Sequence, residues 1–138
     1  MIASLKTEYS LRVLAQLARR HKPGAVARIE DLAKAEAVPA NYLVQLLNEL
    51  REGGLVESRR GKAGGYRLAR NPADITLRQV LEVVEPSLGK TKVNVKGASG
   101  PQVAALWREL SRRFEAELGK VTVSQLMLSL IHISEPTR

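Results

Sequence analysis

Apolar residues in the first part of the chain recur at helical spacing, and proline and glycine punctuate them. Over residues 6–21 they stand at Tyr9, Val13, Leu14, Leu17 and Ala18, spacings of three and four that line one face of a helix. Pro23-Gly24 ends that stripe. A shorter helix is expected over Ile29–Glu36, burying Ile29, Leu32 and Ala33, before Ala37-Val38-Pro39 turns the chain. A third, over Ala40–Glu52, buries Leu43, Leu46, Leu47 and Leu50, and Gly53-Gly54 stops it.

Beyond the third helix the period changes. Residues 55–58 and 66–69 read as short strands joined by Arg59-Arg60-Gly61-Lys62-Ala63-Gly64-Gly65, whose glycines permit the positive φ of a hairpin loop. Two helices joined by a short turn and followed by a basic hairpin have the element order of a winged helix. Asn71-Pro72-Ala73-Asp74 then makes a turn. Residues 75–85 form a fourth helix with Leu77, Val80, Leu81 and Val84 inward. Residues 86–100 lose the apolar period and gain Lys90, Lys92 and Lys96, so a loop is expected there.

Pro101 is placed to open a fifth helix. Val103, Trp107, Leu110, Phe114 and Leu118 follow one another at spacings of three or four, a seam able to pack against another helix. The ordinary alternative for a lone tryptophan is its own chain's core. Thr122-Val123-Ser124-Gln125 has the form of a capping box for one more helix. The fold class expected is mainly α with a small β-hairpin wing. A winged helix-turn-helix occupies 1–86, a loop 87–100, and dimerisation helices 101–127.

Residues 128–138, Leu-Ser-Leu-Ile-His-Ile-Ser-Glu-Pro-Thr-Arg, coincide with one reading frame of a transposase-type sequencing-library adapter. They are expected to be non-native, so His132 is given no functional weight.

Composition narrows the chemistry. The chain has 138 residues and no cysteine, which removes disulfides, thiolate metal sites and cysteine nucleophiles together. Outside the tail His21 is the only histidine, and it sits at a helix end, a position that points to a structural role there and not to a base or metal ligand. Carboxylate pairs such as Glu30-Asp31, Glu82/Glu85 and Glu115/Glu117 are ordinary helix-surface features. Gly61-Lys62-Ala63-Gly64-Gly65 lacks the Gly-Lys-Ser/Thr ending of a phosphate-binding loop and leads into a strand. An enzyme is not expected, nor is a cofactor. No apolar run reaches the roughly 18 residues of a membrane span, and Met1-Ile2-Ala3-Ser4-Leu5-Lys6 lacks the order of a secretory signal. A cytoplasmic location is the expectation.

Charge supplies the partner class. Lys+Arg number 22 against 14 Asp+Glu, a formal net charge of +8, which favours a polyanion. Between Ser58 and Arg70 lie Arg59, Arg60, Lys62, Arg67 and Arg70 with no acid. In a helix-turn-helix the second helix enters the major groove. Its outward face here is Ala40, Asn41, Val44 and Gln45. Asn41 and Gln45 have the amide geometry for adenine, and Val44 suits a thymine methyl. In the wing Arg59, Arg60 and Lys62 straddle the phosphate backbone. Arg60 is the residue expected to enter a narrow A·T-rich minor groove, and Gly61, Gly64 and Gly65 let the wing approach closely.

These residues also carry a resemblance. Thr7-Glu8-Tyr9-Ser10-Leu11-Arg12, Ile29-Glu30-Asp31-Leu32-Ala33, Tyr42-Leu43-Val44-Gln45-Leu46-Leu47, Leu50-Arg51-Glu52-Gly53-Gly54-Leu55-Val56 and Arg60-Gly61-Lys62-Ala63-Gly64-Gly65-Tyr66 come in a specific order and spacing. In these the chain resembles the BadM/Rrf-two family of bacterial winged-helix transcription regulators, closely over residues 6–85 and in outline over 101–127. The resemblance implies a homodimer whose long helix, with Val103, Trp107, Leu110 and Phe114, crosses its partner's. It further implies a roughly palindromic operator read by Asn41, Val44, Gln45 and Arg60, and a repressor.

Three departures stand out. Many relatives have an acidic residue where Val44 stands, and Pro39 replaces a frequent serine cap. Cluster-binding relatives place three cysteines in the region of residues 86–100, where this chain has lysines, and Glu8 alone cannot hold a cluster. The resemblance therefore implies a cluster-free member. The alternative reading is a winged-helix interaction module that has lost specific DNA binding.

Overall fold

A computed structural model describes residues 4–87 and 94–127. The order is α1 (Leu5–Arg19), α2 (Ile29–Glu36), α3 (Ala40–Glu52), β1 (Val56–Arg59), β2 (Gly65–Leu68), α4 (Leu77–Val84) and α5 (Gly100–Leu118). Single 3-10 turns lie at Pro72–Asp74 and Val123–Met127. The fold is mainly helical with one antiparallel hairpin, as the apolar periods require.

The core shows why α2 and α3 keep the bounds read from the sequence. Leu43, Leu46, Leu47 and Leu50 are wholly buried on one side of α3, against Leu14 of α1, Leu32 of α2 and Val80 of α4. Removing each leucine from water contributes about 1.5–3 kcal/mol, so α3 cannot rotate without losing all four at once. Ala37 closes α2 in the left-handed conformation, φ 53 and ψ 49, and donates its amide to Ala33. Val38 is buried directly after it, and α3 starts at Ala40.

The hairpin pairs Val56 with Leu68, Glu57 with Arg67, Ser58 with Tyr66 and Arg59 with Gly65. Both strands sit one residue away from the positions the sequence suggests. Leu55 is buried but lies outside β1, its carbonyl bonded to Ala69. A third edge supports the wing: Ala27 and Tyr66 exchange two backbone hydrogen bonds of 2.8 Å.

Two helix ends differ from expectation. The fourth helix begins at Leu77, not at residue 75, because Thr76 and Gln79 form a full capping box. Ile75 lies outside that helix, yet it is wholly buried. The box expected at Thr122 is only half made. Its amide donates to the Gln125 side chain, while its hydroxyl is bonded to Ser124 Oγ at 2.7 Å. Backbone bonds from Val123 to Ile75 and from Leu77 to Val121 hold this segment extended, so a 3-10 turn follows where an α-helix was expected.

The seam on α5 divides. Val103, Leu106, Trp107 and Leu110 are exposed, Trp107 by 55%, whereas Ala104 and Leu118 are buried and Phe114 packs partly on the core. The expected loop 87–100 falls partly, and the tail 128–138 wholly, outside the described residues.

Candidate nucleic-acid interface

Asn41, Val44 and Gln45 stand together on the exposed side of α3, opposite its leucines. Val44 is 39% exposed, a large apolar side chain left in water at the centre of that face. Pro39 occupies the N-cap and makes no side-chain hydrogen bond. The first amides of α3 therefore have no side-chain partner, and the positive end of its dipole is open to solvent. The missing serine removes a cap but does not move the start of the helix.

In the wing Arg59, Arg60 and Lys62 are exposed, and among the described residues none is held in an ion pair. Arg67 is different. It pairs with Glu57 across the hairpin at 2.6 Å, so one of the five basic residues is spent on holding the strands in register. The glycines have distinct tasks. Gly61 has φ 103, which a side chain would strain, and its carbonyl accepts the Gly64 amide at 2.9 Å. Gly64 and Gly65 are required by space: a Cβ on Gly64 would lie 2.3 Å from the Arg59 carbonyl oxygen, and one on Gly65 2.4 Å from that of Ala27.

Two cations missed from the sequence line the same surface. Arg28 caps α2 and Arg51 lies in the last turn of α3, both beside Arg59 and Arg60 in one groove. They carried no signal in the sequence, because each stands alone among neighbours of mixed charge.

Behind this surface, α1 is locked to α3 and α4. Lys6 pairs with Glu49 at 2.7 Å. Arg12 stacks 5.4 Å from the Tyr9 ring, which meets Tyr42 edge-on at 5.5 Å. These contacts fix the angle at which α3 is presented.

Metal chemistry does not fit the donor set. The chain has no cysteine, and among the described residues no three of His, Asp or Glu are grouped to hold an ion.

Residues 3–129 match the family model described as "Rrf2: Iron-dependent Transcriptional regulator". Rv1287 of Mycobacterium tuberculosis, named as a candidate HTH-type transcriptional regulator, is 35% identical over 131 residues, covering 91% of this chain and 81% of the relative. The HTH-type transcriptional regulator IscR of Aliivibrio salmonicida is 32% identical over 127 residues, covering 89% and 75%. Among solved structures, that of CymR, the global cysteine regulator of B. subtilis, superposes with a TM-score of 0.79 at 28% identity. That superposition spans 92% of this chain and 96% of CymR.

Proposed function

This chain belongs to the Rrf2 family of DNA-binding transcription regulators, and we propose that it acts as a homodimeric repressor on a roughly palindromic operator. It is a regulator and not an enzyme. No helix among the described residues is long and apolar enough to cross a membrane. Because its proposed partner is DNA, we place the protein in the cytoplasm.

In this reading α3 enters the major groove. Asn41 and Gln45 hydrogen-bond adenine edges, and Val44 meets a thymine methyl. Arg59 and Lys62 flank the backbone, Arg60 enters an adjoining narrow minor groove, and Gly61 and Gly64 keep the wing tip thin. Val103, Trp107, Leu110 and Phe114 of α5 pair with the same helix of a second copy. An acidic residue is absent at position 44, so the operator differs from that of relatives that have one. In this reading the protein carries no iron–sulfur cluster, since the chain has no cysteine and no group of three His, Asp or Glu among the described residues could hold a metal ion. The observation that carries the proposal is a wing whose Arg59, Arg60 and Lys62 have no ion-pair partner among the described residues, next to a helix whose amide-bearing face is exposed.

Selection of bound fragments from the source genome by the purified protein tests this. The recovered sites should share an inverted repeat and bind roughly a thousandfold tighter than shuffled DNA. If the dimer neutralises about 6–10 phosphates, log affinity should fall against log salt with a slope of about −5 to −9. Equal binding to recovered and shuffled duplexes would favour a winged-helix interaction module instead.

A further inference from the structure

A groove of about 350 Å3 lies between the start of α2, the end of α3 and the wing. Arg28, Arg51, Arg59 and Arg60 all line it, with Gly64 and Tyr66 on its wall. Resting on the DNA-binding reading above, we propose that this groove seats one phosphate of the strand bordering the minor groove. Arg28 and Arg51 are then positioning residues that set how the wing meets the duplex.

Four arginines line this concavity with a single acidic residue, Glu30, whose carboxylate lies 3.6 Å from the Arg28 guanidinium. Its lining is therefore strongly positive, and gathering like charges without an anion is unfavourable. Helix α2 begins here with Arg28 at the N-cap and no side-chain hydrogen bond, and Ile29 and Glu30 are at the groove. The first amides of α2 add the helix-end field to that of the arginines. The spacing is also rigid. The two 2.8 Å bonds between Ala27 and Tyr66 tie the residue before Arg28 to the wing, so the groove cannot open by a hinge between them. A phosphodiester is the ligand this arrangement suits, because the same cations continue onto the exposed wing and α3.

A phosphate seat is blind to sequence, which separates it from the reading helix. The test uses the full chain, the tightest duplex that the wild type recovers from random DNA, and an unrelated duplex. Arg28→Gln and Arg51→Gln should each weaken binding to both duplexes by the same factor, about tenfold, and flatten the salt slope by about 1 for each site lost. Arg51→Lys should keep the slope. A neutral methylphosphonate at the seated position should reproduce the loss in the wild type and add nothing to it in Arg51→Gln. If Arg51→Gln does not fold, Arg28→Gln, altered at an exposed cap, carries the test alone.

Wild-type affinity and slope in the folded glutamine variants would overturn the seat and leave the regulator reading intact. So would inorganic phosphate that binds the groove through Arg51 at constant ionic strength yet displaces neither duplex, since the groove would then serve a free anion. A wild type with no preference for its recovered duplex would instead overturn the regulator reading, whatever the arginines do.

Discussion

The Thr7 hydroxyl donates a 2.8 Å hydrogen bond to the carboxylate of Glu85, joining the first turn of α1 to the end of α4. The Ser4 hydroxyl donates to the same oxygen. These two bonds, Ser4 first, hold the Glu85 carboxyl below its usual range against the opposing effect of burial, and the nearby Lys6 charge adds the least. A carboxyl depressed in the folded state stabilises at neutral pH, and the contribution disappears as pH falls through its folded value. Glu85→Gln should therefore unfold at lower urea than the wild type near neutrality, with the difference closing well below the ordinary glutamate value of about 4.3. A difference that stays constant across that range would show that Glu85 acts by shape alone.

Gln45 and Arg60 should fail in different ways. Gln45→Ala is expected to cost about 1–3 kcal/mol on the operator and to relax one base position. Arg60→Ala should lose most where an A·T tract flanks the half-site. Equal losses on every duplex would make Arg60 a plain phosphate contact, and an unchanged base preference would remove Gln45 from the reading face.

Trp107, the chain's single tryptophan, is 55% exposed on α5 beside Val103, Leu106 and Leu110. Trp107→Ala should shift sedimentation toward monomer while leaving helicity intact. In the wild type, tryptophan emission should move to the blue as concentration carries monomer into dimer. A variant that remained dimeric would place the interface elsewhere.

Gly65 has no room for a side chain, because the Ala27 carbonyl occupies the space a Cβ needs. Gly65→Ala should force that backbone bridge apart, costing about 1–3 kcal/mol in urea unfolding and weakening DNA binding as the wing loosens. Unchanged stability and affinity together would mean that the bridge does not hold the wing.

Ala37 holds a left-handed conformation that costs an L-residue about 1–2 kcal/mol. Glycine avoids that cost but loses more entropy on folding. Ala37→Gly should thus raise stability by about 0.5–1 kcal/mol, read as a higher urea midpoint with an unchanged slope. A lower midpoint would mean that the alanine methyl packs usefully.

Most of the helices, and the outward face of α3, were legible because each rests on a local period. Leucines at 43, 46, 47 and 50 leave Asn41, Val44 and Gln45 outside whatever the rest of the chain does. The wing was legible for a similar reason: glycines and unopposed arginines crowd one short stretch. What failed was competition between local and distant partners. Thr122 carries the signature of a helix cap, yet the chain around it pairs with the strand-like segment at Ile75. The true cap, Thr76 with Gln79, is masked in the sequence because the apolar Ile75 directly precedes it and extends the helical stripe.

By itself the order of residues determined most of the element types, the basic wing, the exposed face of α3 with Asn41, Val44 and Gln45, and the lack of any cysteine to hold an iron–sulfur cluster, since these depend on neighbours within a turn or on composition. Only the tertiary structure decided that Arg28 and Arg51 join Arg59 and Arg60 around one groove, that Arg67 is consumed by Glu57, and that α5 leaves Trp107 outside while tucking Leu118 in. The physical reason is range. A hydrophobic period is satisfied within one helix, whereas the field at a groove is the sum of charges that meet only when distant elements pack.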